Sequence, residues 1–230
     1  MIFYRRILFE IFLLLIVIIL FSYTNIDITI QNLFFDRDSL QWSLAKTAQP
    51  YKFIFYDGIK ALLIFLAVFS LFCILFFRDN IFVKKYKEGL LIIILSSIFI
   101  PISIGGLKKY TNMPCPKQTI NYGGSYPDIK LWERYPINIA HNKRLQCWPA
   151  GHASGGFALF ALYFFFKSKK NKLIALGSAL IIGWSMGIYK MIIGDHYFSH
   201  TIITMILAWI IVVYISIFVT FTQRETLSNR

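Results

Sequence analysis

The chain has 230 residues, 57% of them hydrophobic, and a formal charge of +13; its mean hydropathy is +0.60. A soluble domain is about 45–50% apolar, so the excess excludes an ordinary soluble enzyme. The charge does not require nucleic acid, because basic loops in a membrane protein follow from topology and from anionic headgroups.

The apolar residues fall in blocks close to the ~20 residues that cross a bilayer. They predict an all-α, polytopic membrane helix bundle with about six transmembrane helices, one domain over residues 1–230. Arg5-Arg6 precede the first block, 7–23, which lacks a small-x-small cleavage site and reads as an uncleaved span. Glu10 lies four residues after Arg6 on one helical face, a pairing distance. Residues 24–56 mix Asp27, Asp36, Arg37, Asp38 and Lys46 with aromatics, the composition of an interfacial segment with short amphipathic helices. The second span is expected over 57–77, followed by a basic turn with Arg78, Lys84, Lys85 and Lys87.

The third span covers about 90–107, bent at its far end by Pro101 and Gly105-Gly106. A polar loop rich in Pro and Gly fills 108–150. The fourth span is 151–166, closed by the basic run 167–172. The fifth, 173–193, carries Gly177, Gly183 and Gly187 for close helix packing. The corner Gly194-Asp195-His196 leads into the sixth, 200–221. The short connections at 5–6, 78–87 and 167–172 are dense in Lys and Arg and lie on one side, which the positive-inside rule assigns to the cytoplasm. The 108–150 loop is then outside, with seven cations that attract an anionic substrate.

All four histidines, His141, His152, His196 and His200, fall on that outer face. His152 opens the fourth span, where the first helix amides are free and the dipole is positive, an end that binds phosphate. His196 and His200 flank the start of the sixth span. Their four-residue spacing also suits a metal, with His152 and Asp195 as further ligands, though nothing else follows a hydrolytic zinc motif. His141 reads as a solvated loop residue, Lys108-Lys109 as headgroup anchors or anion binders, and Tyr122, Tyr126 and Trp132 as interface aromatics. Cys73 is a small buried hydrophobe. Cys115 and Cys147 bracket the long loop, as two thiols or, in an oxidising compartment, as a disulfide.

Three clusters in order carry a resemblance: Lys108-x6-Cys115-Pro116, Pro149-Ala150-Gly151-His152, and Lys190-x5-His196-x3-His200. Together they resemble the signature of the type 2 phosphatidic acid phosphatase (PAP2) superfamily, Lys-x6-Arg-Pro, Pro-Ser-Gly-His and Ser-Arg-x5-His-x3-Asp. The likeness covers about residues 90–215, is closest to the membrane lipid-phosphatase branch, and looks like a divergent bacterial subgroup with Cys-Pro in the first motif. It implies that His196 attacks phosphorus to give a phospho-histidine. His152 then protonates the leaving oxygen and activates water for the second step. His200 stands where an aspartate orients the nucleophile. Lys108 and Lys190 neutralise phosphoryl oxygens, with the backbone at Ala150, Gly151 and His152 adding donors.

The departures are specific. Cys115 replaces an arginine, Ala150 a serine, Tyr189-Lys190 a Ser-Arg pair and His200 an aspartate. Asp195, Lys109, Arg134, Arg144 and Ser154 are substitutes the sequence offers. A Cys115–Cys147 bridge would tie the first motif to the second.

The resemblance implies a lipid phosphatase of the bacterial inner membrane, acting at the periplasmic face without metal or other cofactor. Its partners would be the lipid phosphate and membrane lipids, with no nucleic acid. Undecaprenyl diphosphate, lipid A phosphate and phosphatidylglycerol phosphate are the expected substrates. A lipid phosphotransferase, or a catalytically decayed protein that binds anionic headgroups, are the alternatives. A transporter fits poorly, because no matching pair of broken helices lies at mid-membrane.

Overall fold

The computed structural model describes residues 2–136 and 144–228, with side chains over 7–136 and 144–225. His141, Lys143 and the Arg5 and Arg6 side chains lie outside that description. The helices are α1 (Ile2–Tyr23), α2 (Ile26–Gln31), α3 (Gly58–Phe76), α4 (Ile81–Thr111), α5 (Gly151–Ala158), α6 (Ala161–Phe165), α7 (Lys169–Ile192) and α8 (Phe198–Ser228). The bundle is all-α, as the hydropathy predicts.

Among the described residues four segments are long and apolar enough to cross a membrane: Phe53–Phe76, Ile81–Gln118, Lys169–Ile192 and Phe198–Glu225. The first expected span is helical over Ile7–Tyr23 and then turns by 73° into Ile26–Phe34. The fourth is the one that departs most. It is two short helices of 8 and 5 residues, α5 and α6, joined by i to i+3 hydrogen bonds at Leu159 and Phe160. α5 packs against α7, α4 and α8, so neighbouring helices rather than lipid surround it. A helix enclosed by protein need not match the bilayer's thickness.

α4 is also longer than its apolar core. Asn80 caps it, its Oδ1 accepting from Phe82 N at 2.8 Å, and Lys84, Lys85 and Lys87 form its first turns. The helix runs through Pro101 and Gly105-Gly106 and ends at Asn112, whose φ of 49° is left-handed. Residues 24–56 fold over one end of the bundle rather than lying apart. Phe35–Asp36 and Gln41–Trp42 pair as a two-stranded hairpin. Phe35, Trp42 and Tyr197 gather around Tyr122, which is buried and not an interface aromatic. Asp27 takes two hydrogen bonds from Ser199, and Gln31 Nε2 donates to Met191 O at 2.8 Å.

The core lies where α4, α5, α7 and α8 meet, around Ile100, Ile104, Phe157, Phe160, Ala179 and Val212. By contrast α3 presents Phe65, Val68, Phe69 and Phe76 outward, the pattern of a helix solvated by lipid. Trp209 Nε1 donates to Glu10 Oε1 at 3.0 Å, which gives the acid of α1 a partner on α8. α5 and α7 approach so closely that a Cβ at Gly156 would lie 2.7 Å from Gly183 Cα. Gly156→Val is therefore expected to destabilise the bundle by about 1–3 kcal/mol, read as a lower melting temperature in detergent; an unchanged melting temperature would show that the two helices can part freely.

Candidate active site

Four helix ends converge at the end of the bundle that the 24–56 segment covers. Lys108 is in the last turn of α4, His152 in the first turn of α5, Lys190 in the last turn of α7 and His200 in the first turn of α8. α7 stops at Gly194, whose φ of +71° places it in the left-handed region and whose bare Cα accepts the Trp42 ring. The glycine turn lets Asp195 N donate back to Lys190 O at 2.8 Å. His196 is thereby held beside the end of α7.

The two histidines face one another, His152 Nδ1 lying 3.4 Å from His196 Nε2. His196 is fully buried, and burial with Lys108 nearby holds its imidazole well below the ordinary range. A neutral imidazole keeps the lone pair a nucleophile needs. Its other nitrogen, Nδ1, lies 3.4 Å from Cys147 Sγ. His200 is also buried, with ring centroids 5.7 Å from His196, and no hydrogen bond joins the two rings. Its Nδ1 has no hydrogen-bond partner among the described residues, while its backbone carbonyl accepts from Ala150 N at 3.2 Å. The Ala150 amide is thus taken, and the Gly151 and His152 amides are the free donors of α5.

Cys115 and Cys147 form a disulfide with Cα atoms 5.1 Å apart. Cys147 Sγ also lies 2.8 Å from Asp195 O; a disulfide sulfur carries no proton, so this is a contact and not a hydrogen bond. Cys147, His196 and His200 have ligand atoms within 4.8 Å of one another, but the bridge denies a metal the thiolate. The loop is further fixed at its return. Cys147 N donates to Met113 O at 3.1 Å, Thr111 Oγ1 to Trp148 O at 2.7 Å and Leu145 N to Asn112 Oδ1 at 2.8 Å.

Asp195 is the acid between the cations. Lys190 Nζ bonds its Oδ2 at 3.0 Å and Lys117 Nζ its Oδ1 at 2.5 Å. Burial alone would raise its carboxyl, but the hydrogen bonds and charges of Lys117 and Lys190 hold it below the usual range. Lys108 Nζ lies over Gly151, 3.1 Å from where a Cβ would stand. Ser154 Oγ donates to Gly151 O at 2.7 Å and serves the helix. Lys109, Arg134 and Arg144 are exposed and make no hydrogen bond or ion pair with the site among the described residues.

Two further residues belong here. The Tyr56 ring stands edge-on to His152 with centroids 5.1 Å apart, and Lys190 Nζ lies 4.8 Å from its centre. Lys117 approaches from the loop. Neither sits in a motif; the signals for Lys117 are its place among the seven cations of the 108–150 loop and its position two residues after Cys115.

Histidines paired among lysines at the end of an apolar bundle are suited to phosphoryl chemistry. The PAP2 superfamily sequence model matches residues 89–224, and the chain belongs to that superfamily; it is a membrane phosphatase. It is 28% identical over 167 residues to the lipid A 4'-phosphatase of Francisella tularensis subsp. novicida (strain U112), covering 67% of this chain and 73% of that one. No solved structure matches.

Two outcomes follow. The bridge closes a loop of about 30 residues, worth ~2–4 kcal/mol, so the Cys115→Ser/Cys147→Ser pair should melt several degrees lower in detergent; an equal melting temperature would deny the bridge a stabilising role. Because the folded value of His196 is depressed, its stabilising contribution is complete above the unfolded value near 6.5 and is lost as pH falls toward the folded value. The melting temperature should fall between pH 7 and 5, and less steeply in His196→Gln.

Proposed function

We propose that the protein hydrolyses a phosphate ester on a lipid through a phospho-histidine on His196, at the outer face of a bacterial inner membrane. The observation that carries this reading is the approach of His152 and His196 beside Lys108 and Lys190, at the mouth of an apolar cavity. That cavity, about 350 Å³, includes His152, Gly151, Tyr56, Leu63, Ile64 and Pro101 in its lining. An acyl chain fits such walls, and its phosphate would then lie at the histidines.

In the first step His196 Nε2 forms a bond to phosphorus while the bond from phosphorus to the lipid oxygen breaks. His152 gives that oxygen its proton. In the second step His152 takes a proton from water, water oxygen bonds to phosphorus, and the bond to His196 breaks with release of inorganic phosphate. The lysines and the Gly151 and His152 amides offset the charge on the phosphoryl oxygens. His152 needs a proton at the start, and the bound dianion favours it by offsetting the lysines.

The named relative acts on a lipid A 4'-phosphate, and lipid A phosphate is the first substrate to test. Undecaprenyl diphosphate and phosphatidylglycerol phosphate complete the panel. The basic groups at 78–87 and 167–172 lie at the bundle end opposite the site, which supports an outward-facing site by the positive-inside rule. Phosphate release from the purified protein in detergent should be highest with lipid A. His196→Ala should abolish release, and His152→Ala should lower kcat about 10²–10⁴-fold. Wild-type rates in both variants would sink the mechanism, and lipid binding without turnover by the wild type would favour the decayed binder.

A further inference from the structure

We infer that Lys117 is a phosphate-binding residue of this site, held ready by Asp195 and handed to the substrate when the phosphoryl group arrives. The inference rests on the phosphatase reading and deepens it.

Lys117 N donates to Gly194 O at 3.1 Å. Its backbone is thus fastened to the corner that carries Asp195 and His196. The disulfide at Cys115, two residues earlier, fastens it a second time. A lysine on a free loop would be an attractive charge at a distance; this one is registered against the nucleophile.

The two ion pairs of Asp195 differ in how deeply they are enclosed. Lys117 and Lys190 hold opposite oxygens of one carboxylate. The Lys190 side chain is 5% exposed, whereas that of Lys117 is 35% exposed. Lys190 is enclosed with its partner and its Tyr56 ring. Lys117 is far less enclosed, so it is the lysine of the two that can release Asp195 and turn to a phosphoryl oxygen.

Lys108 lies over Gly151 in the same site, so three ammoniums gather around one carboxylate's worth of negative charge and leave two positive charges beside neutral His196. A phosphomonoester is a dianion near neutral pH. With Lys117 included the lysines and Asp195 alone match that charge; without it they fall one short once His152 has given its proton to the leaving oxygen. Asp195 therefore screens the lysines from one another in the empty site and competes for Lys117 in the filled one.

The bland role, a strut that only braces Asp195, makes different predictions. The probe is inorganic phosphate, read as the concentration at which it raises the melting temperature of the full-length protein in detergent. Lys117→Met should weaken phosphate about 10–100-fold, the worth of a charge-assisted hydrogen bond. Lys117→Arg should keep it within about threefold. Asp195→Asn should tighten it, because the lysine loses its competitor. If Lys117→Met leaves phosphate affinity unchanged, or if Lys117→Met and Asp195→Asn weaken it alike, Lys117 is a strut and the inference fails. Should Asp195→Asn not fold, the Met and Arg variants at the half-exposed Lys117 decide alone. The assay needs no turnover. A wild type that binds phosphate through Lys117 but hydrolyses no lipid would overturn the phosphatase reading and leave this one standing.

Discussion

The carboxylate of Asp195 holds the site together electrostatically. Lys190 ends a helix of the core and is almost wholly buried, a position where an ammonium is costly without an anion beside it, Asp195 in the empty site or phosphate in the filled one. Asp195 supplies that charge from five residues on, because the left-handed Gly194 folds the chain back over the helix end. The same carboxylate reaches Lys117 across the loop. One acid thus links the end of α7, the approach to α8 and the long loop, and His196 is the next residue along the chain. The placement of His196 and the charge of its surroundings come from a single local fold.

The disulfide takes the part its sequence position implied and a second one besides. It ties the two motifs, and it also brings a sulfur to Nδ1 of the His196 ring. A sulfur is a weak, uncharged partner compared with a carboxylate. The imidazole is therefore held by packing more than by an ion pair, and the stabilisation of charge rests on the lysines in front of it. His200, in the place where the superfamily has an acid, instead accepts from Ala150 N through its carbonyl and so braces the entry to α5.

Much of this was legible in the chain. The apolar blocks gave the helices, and three short clusters in order gave Lys108, His152, Lys190 and His196. What escaped was tertiary. Nothing in the hydropathy of 151–166 distinguishes a lipid-facing crossing from a helix enclosed by others, so α5 and α6 read as one span. Charges mixed with aromatics made 24–56 an interfacial segment, and nothing in that composition says that Trp42 and Gln31 are fitted to the end of α7. Asp195 was only one of five substitutes offered, and no spacing rule separates it from Lys109 or Arg144. Lys117 was one of seven loop cations and could not be singled out, because its partner is 78 residues away.

The cavity beside His152 has a consequence for how the enzyme meets its substrate. Ile64, Val68 and Ile98 line it and are themselves exposed on the outer surface of the bundle. A molecule can therefore enter sideways, from within the bilayer, with its chain never leaving hydrocarbon. Encounter becomes a search in two dimensions, and the quantity that sets the rate is the mole fraction of substrate in the membrane. Diluting the same lipid with detergent or inert phospholipid would slow turnover at constant bulk concentration, whereas adding buffer to a suspension of vesicles would leave each enzyme's supply untouched.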